Sequence, residues 1–230
     1  MNVAIVVAAG KGSRLGGDRP KQFLELGGIP VIIHTLRQFE RSKEIQAVIT
    51  VLPAGETAGF ESVVKEFALK KVTGVIAGGA TRAQSVRNGL RAISDAEIVA
   101  VHDGVRPFVT PAEIDATVAA ARRSGAAILT AHVADTIKRV EAGRVIQTSS
   151  RASLRRALTP QCFRFEILKR AYEQLDHLES AGVEITDDSF LVEKWNVEIV
   201  AVEGSERNIK ITNAEDLAVG EILLKRGLRT

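Results

Sequence analysis

Only one of the 230 residues is a cysteine, Cys162. A lone thiol excludes an intrachain disulfide and a cysteine-built zinc cluster, and it fits a reducing, cytoplasmic compartment. Charge of one sign is scarce too. Against 28 acidic residues stand 31 basic ones, a net +3. That excess is too mild and too dispersed for a nucleic-acid partner, which needs a concentrated basic stripe. No apolar run reaches membrane-spanning length. Residues 1–9 carry no basic leader segment and read as a buried strand. Repeats, low-complexity tracts and Pro/Gly-rich linkers are missing as well. His34, His132 and His177 lie far apart without ligand spacing, so no metal triad is expected.

What is present is an ordinary globular balance, 45% apolar and 26% charged, enough to fill one sizeable core. Short β-branched runs at 3–8, 47–52, 74–77, 98–102 and 126–131 alternate with helical patterns at 31–41, 60–69, 82–93 and 111–123. The strands are nearly all apolar, as parallel strands covered on both faces are. This alternation predicts an α/β fold, a three-layer αβα sandwich on a mostly parallel sheet, as a single domain over 1–230. After Ala131 the pattern changes. Residues 136–140 and 144–148 alternate in polarity around Glu141-Ala142-Gly143, the mark of a β-hairpin, read as a protruding arm over about 133–158. A helix near 165–178, a short one at 188–195, a strand at 197–202 and a helix at 214–225 close the chain.

Three stretches at strand ends carry candidate chemistry. The first is Ala8-Ala9-Gly10-Lys11-Gly12-Ser13-Arg14, followed by Pro20-Lys21-Gln22. A glycine-rich turn after the first parallel strand lets backbone N–H groups close on a phosphate, and Lys11, Arg14 and Lys21 add charge. It fits neither common nucleotide motif. The third glycine of G-x-G-x-x-G comes one residue late, and G-x-x-x-x-G-K-[ST] does not match. The second stretch, Gly78-Gly79 to Ser85-Val86, reads either as a turn against a flat base or as a plain helix cap. The third is His102-Asp103-Gly104-Val105-Arg106, in which Asp103 can orient a hydroxyl and Arg106 can fork onto a phosphate or pair with Asp103. All three follow strands of one parallel sheet, so all are expected to open on the same edge. Cys162 reads as a packed thiol.

Taken together, these stretches resemble the 2-C-methyl-D-erythritol 4-phosphate cytidylyltransferase family, within the Rossmann-like nucleotidyltransferase fold. Asp135-Thr136, Arg151, Thr159-Pro160-Gln161, Thr186-Asp187-Asp188 and Asn208-Ile209-Lys210-Ile211-Thr212 extend the match. The resemblance implies cytidylyl transfer from CTP to a methylerythritol phosphate, with pyrophosphate released, in non-mevalonate isoprenoid biosynthesis. It implies that Arg14 and Lys21 stabilise the transition state at the α-phosphate, and that Ala8, Ala9, Gly10, Lys11 and Gly12 cradle the nucleotide. Gly78, Gly79 and Ser85 would meet cytosine. Asp103, Arg106, Thr136, Arg151, Thr159, Thr186 and Lys210 would hold the acceptor, with Thr136 and Arg151 reaching across a homodimer through the arm. Mg2+ would ride mainly on the CTP phosphates, with no protein ligand assigned. Gly104-Val105 replaces a pair of alanines common in the family, and Val105 resembles the ribitol 5-phosphate cytidylyltransferases, whose activity is the alternative reading within the class. Other readings are a silent nucleotide-binding regulator, against which the intact cations argue, and an NAD-dependent oxidoreductase, against which the failed fingerprint argues.

Overall fold

The structure is a computed structural model that describes residues 1–10 and 20–227. Its centre is a sheet of seven strands, and only apolar runs could fill its middle. Strands β1 (Val3–Val7), β4 (Ala47–Leu52) and β6 (Ile98–Asp103) are buried along their whole length. Two further short strands, β2 (Glu25–Leu26) and β3 (Ile29–Pro30), form a separate hairpin that the sequence pattern does not reveal. Next come β5 (Val72–Ala77), β7 (Ala126–His132), the ribbon pair β8 (Ile137–Glu141) and β9 (Arg144–Ser149), then β10 (Arg155–Arg164) and β11 (Ile199–Glu203). The sheet order is β11-β7-β10-β6-β1-β4-β5. All pairings in it are parallel except those of β10, which runs antiparallel to both β6 and β7. The sheet is therefore mostly parallel, as the alternation implies.

Helices cover both faces. On one face α1 (Val31–Arg41), α2 (Thr57–Glu66) and α4 (Pro111–Ser124) pack Ile32, Leu36, Phe39, Phe60, Ile114 and Val118 against Ala4 and Val6. On the other, α3 (Arg82–Arg91), α5 (Phe165–Tyr172), α6 (Leu175–Ser180) and α7 (Asp188–Glu193) meet Val3, Ile5 and Val7. The two-residue alternation of β1 thus feeds two separate cores. The closing helix α8 (Ala214–Gly227) packs Leu217 and Leu224 beside the β2–β3 hairpin, with Leu26, Val31, Val105 and Ile211. Helix α4 starts on a full capping box, Thr110 with Glu113, and has Pro111 in its first turn.

Several expectations need correction. Strand β10 is absent from the sequence reading, because Pro160 argues against a central position. It is tolerated where the register with β7 shifts between Ala157 and Gln161. Residues 155–158, expected within the arm, belong to this sheet strand, where Arg155 pairs with His132 and Arg156 with Ala131. The helix expected over 165–178 is two, since α5 ends at Tyr172 before α6 starts at Leu175. Strand β5 lies at the sheet edge and is only partly covered. The β8–β9 hairpin is as expected. It turns through Ala142 (φ 47°) and Gly143 (φ 76°), the paired positive φ of a two-residue hairpin turn.

Candidate active site

The loops after β1, β5 and β6 open on one cleft of about 430 Å³, a volume suited to a small-molecule site. Ala8, Ala9 and Gly10 form one wall, Gly79 to Arg82 with Ser85 another, and Asp103 with Val105 the floor. Lys21 and Gln22, from a 3-10 turn over Lys21–Phe23, and Lys210 close the far side. Close approach of the backbone makes this possible. A Cβ on Gly78 would lie 2.3 Å from the Ala9 Cβ, and one on Gly104 would lie 2.8 Å from the Ala8 Cβ. Both distances are forbidden to real side chains, so glycine at these positions lets the three loops touch.

Asp103 is the electrostatic centre. Arg82 Nε donates to its Oδ1 at 3.1 Å, while Arg106 Nε at 3.2 Å and Lys210 Nζ at 2.9 Å share Oδ2. Burial works to raise the Asp103 pKa, but Arg82, Lys210 and Arg106 overcome it and hold the carboxyl well below the usual carboxylate range. Beneath lies a chain of neutral bonds. The Asp103 N–H donates to Thr159 Oγ1 at 3.2 Å, and Thr159 Oγ1 lies 2.9 Å from His102 Nδ1. His102 Nε2 in turn lies 3.2 Å from the Arg106 carbonyl. One tautomer satisfies this order: Nε2–H donates to the carbonyl and Nδ1 accepts from Thr159. Burial pushes the His102 pKa down to about 3, so the ring is neutral. Asn208 ties the segment carrying Lys210 to this floor, its Nδ2 donating to the Thr159 carbonyl at 2.9 Å.

Behind Arg82 sits a second anchor. Its Nη2 donates to Asp188 Oδ2 at 2.8 Å, and Tyr172 donates its hydroxyl to Asp188 Oδ1 at 2.5 Å. Burial foremost, with the Asp188 charge, raises the Tyr172 pKa well above its ordinary value, so the phenol stays a donor. Gln161 accepts from the Asp188 and Ser189 N–H groups at 3.0 Å each, joining β10 to the start of α7.

A cleft walled by loops from three parallel strands and rimmed with cations suits a nucleotide and a second anion, but many folds could use it. Comparison decides which. The family model described as 2-C-methyl-D-erythritol 4-phosphate cytidylyltransferase matches residues 2–226. The chain belongs to this cytidylyltransferase family. A relative of that name from Alkaliphilus metalliredigens is 44% identical over 225 residues, 96% of this chain and 92% of the relative. Another, from Geobacter metallireducens, is 40% identical over 230 residues, 98% of each. Among solved structures, 4-diphosphocytidyl-2C-methyl-D-erythritol synthase from Anaerococcus prevotii superposes with a TM-score of 0.83 at 32% identity, covering 97% of this chain and 96% of that one. The cytidylyltransferase from Thermus thermophilus gives 0.77 at 31% identity, over 98% and 100%.

Within this cytidylyltransferase fold, the residues expected at the site fall into groups. Ala8, Ala9, Gly10, Lys21, Gly79, Ser85, Asp103 and Lys210 line the cleft together. Gly78 lies immediately behind, and Arg106 flanks Asp103. The turn at 78–86 is both a cleft wall and a helix cap, because Thr81 Oγ1 accepts from the Gln84 N–H. Ser85 is buried and donates its proton to the Thr81 carbonyl at 2.9 Å while accepting from the Gly79 N–H at 3.1 Å, which leaves an acceptor lone pair. Thr159 lies under the floor. Thr136, Arg151 and Thr186 are exposed and do not line the cleft; Arg151 donates to the Ala134 carbonyl at 2.7 Å, at the base of the ribbon. Lys11, Gly12 and Arg14 lie outside the described residues. Sequence reasoning assigns no role to Arg82, Asp188, Tyr172 or His102. His102 and Asp188 fall within stretches that the sequence singles out, and Arg82 shows as a cation one residue after a capping threonine at a strand-end loop, whereas Tyr172 carries no local signal.

Proposed function

We propose that this chain transfers a cytidylyl group from CTP to 2-C-methyl-D-erythritol 4-phosphate, giving 4-diphosphocytidyl-2-C-methyl-D-erythritol and pyrophosphate for isoprenoid precursor biosynthesis. The convergence of three strand-end loops with Lys21, Arg82 and Lys210 on one cleft carries this reading. A phosphate oxygen of the acceptor attacks the α-phosphorus of CTP. The new P–O bond forms as the bond to the β-phosphate oxygen breaks, and pyrophosphate leaves with that electron pair. The nucleophile is already an anion, so no general base is needed, and His102 does not offer one, being neutral, buried and fully bonded. The difficulty is repulsion between two polyanions, which placed cations relieve most where charge grows in the transition state.

Lys21 and Arg14 act at the α-phosphate, and Gly79 with the remaining Ser85 lone pair reads the cytosine edge. Lys210, poised on Asp103, receives the acceptor phosphate. Magnesium, held mainly by the triphosphate oxygens, would screen the charge of CTP. The residues suit that division. Both Asp103 oxygens are already engaged by cations, and among the described residues no three His, Cys, Asp or Glu side chains form a cluster able to hold a metal. The enzyme works in the cytoplasm as a homodimer, with the β8–β9 ribbon of each protomer carrying Thr136 and Arg151 into the partner's cleft. Ile137, Val140, Val145 and Ile146 support this, as large aliphatic side chains exposed on a two-stranded ribbon that is marginal alone.

The test is pyrophosphate release with CTP or UTP against methylerythritol phosphate or ribitol 5-phosphate. The expected result is turnover with CTP and methylerythritol phosphate. Equal kcat/KM for UTP contradicts the base assignment, and preference for ribitol 5-phosphate contradicts the acceptor.

A further inference from the structure

Arg82 opens α3 and forms part of the cleft wall with Lys21 and Lys210. Its guanidinium offers five N–H donors. Nε is used on Asp103 and Nη2 on Asp188, whereas Nη1 has no partner among the described residues. The two carboxylates grip two edges of a planar group and fix its orientation. Asp188 is fully buried and Asp103 nearly so, while the Arg82 side chain keeps 27% of its exposure. Most of the solvent exposure in this trio therefore lies on the Arg82 side chain, which also lines the cleft. Charge points the same way: among the described residues, Arg82, Arg106 and Lys210 form their ion pairs with Asp103 and Asp188, three cations against two carboxylates, before Lys21 is added.

We infer that Arg82 is a phosphate-binding cation, donating from its unused edge to a phosphate oxygen of a bound substrate, and that Asp188 and Tyr172 are positioning residues that act through it. The inference rests on the cytidylyl-transfer reading. A lysine at this position could not hold two carboxylates and a third anion in one plane. Tyr172, remote from the cleft wall, fixes the free oxygen of Asp188 and hence the angle at which Arg82 is held.

The experiment compares wild type, Arg82→Lys and Tyr172→Phe in steady-state kinetics, with thermal unfolding of each and calorimetric titration of inorganic pyrophosphate. Arg82→Lys is expected to raise the KM of the phosphate it holds about tenfold or more. A rise for CTP assigns the triphosphate, and a rise for the alcohol phosphate assigns the acceptor; either supports the inference. Tyr172→Phe is expected to raise the same KM by a smaller factor, about threefold, at unchanged kcat. It carries the test if Arg82→Lys fails to fold, since both carboxylates keep their arginine. A folded Arg82→Lys enzyme with both KM values within twofold of wild type overturns the phosphate contact. A Tyr172→Phe enzyme that loses only thermal stability overturns the positioning role. If the wild type shows no turnover, the functional reading fails by itself, and weaker pyrophosphate binding by Arg82→Lys still supports the anion contact while equal binding rejects it.

Discussion

Asp103 holds three cations in the cleft where the proposed reaction brings two polyanions together, and this arrangement would serve both stability and poise. The carboxylate offsets the mutual repulsion of Arg82, Arg106 and Lys210, and in the proposed reaction a substrate phosphate would compete for them. Lys21 differs, lining the cleft together with Ala8, Ala9 and Gly10. Its charge contributes to holding Asp216 below the ordinary range, after burial, which works to raise that pKa, and the stronger bonds from Thr212 and Asn213. Lys21→Ala is expected to lower kcat about 100- to 1,000-fold with a smaller effect on CTP binding, as for loss of a donor at developing charge. Single-turnover kinetics with CTP binding measured separately check this, and a raised KM at normal kcat would assign Lys21 to the ground state. His102 makes a pH prediction. Its pKa is lowered from 6.5 to about 3 by burial, so the unfolded chain binds the extra proton first. Stability is then full above pH 6.5 and falls as pH drops toward 3, with a limiting slope of about 1.4 kcal/mol per pH unit. Denaturant unfolding between about pH 4 and 7 should show a shallower slope for His102→Gln than for wild type; parallel slopes would mean His102 is not the proton acceptor. Asp103 and Lys210 could be found from the sequence because each sits in a local motif. Asp188 sits in the matching Thr186-Asp187-Asp188 stretch as well, but its partnership with Arg82 spans 106 residues, so its role as an anchor of that guanidinium leaves no local trace.

At the level of elements, the cleft depends on the junction where β5 runs into α3 against the end of β1. Gly78→Ala is expected to force the Ala9 and Ser85 contacts apart, lowering the thermal midpoint and raising the KM for CTP about tenfold or more. Measuring both for the purified variant checks this, and a variant with unchanged CTP affinity would show that the close packing does not shape the nucleotide wall. The parallel strands are readable because burial on both faces requires unbroken apolar runs, as in Ala47–Leu52. Strand β10 is hidden because its signals conflict: Pro160 removes a ladder donor, and Arg155 and Arg156 look like surface. Only long-range pairing with β6 and β7 makes it a strand. Helices α5 and α6 share one apolar spacing through Phe165, Leu168, Leu175 and Leu178, so their break after Tyr172 leaves no mark in the pattern.

For the whole molecule, the proposed pairing through the ribbon makes oligomeric state part of the proposed mechanism. Lys21→Ala and Arg151→Ala homodimers are each expected to be nearly inactive. Mixed by subunit exchange, about half the dimers become hybrids with one intact site of two, so activity recovers to roughly a quarter of wild type. Exchange confirmed by native mass, without recovery, would show that Arg151 serves its own protomer. The most direct test of the account as a whole is phosphorus NMR of the products formed from magnesium CTP and methylerythritol phosphate. Attack at the α-phosphorus is expected to yield inorganic pyrophosphate and a new diphosphate diester, seen as two mutually coupled doublets. Formation of CDP with inorganic phosphate, or no new diester while CTP is consumed, would contradict cytidylyl transfer.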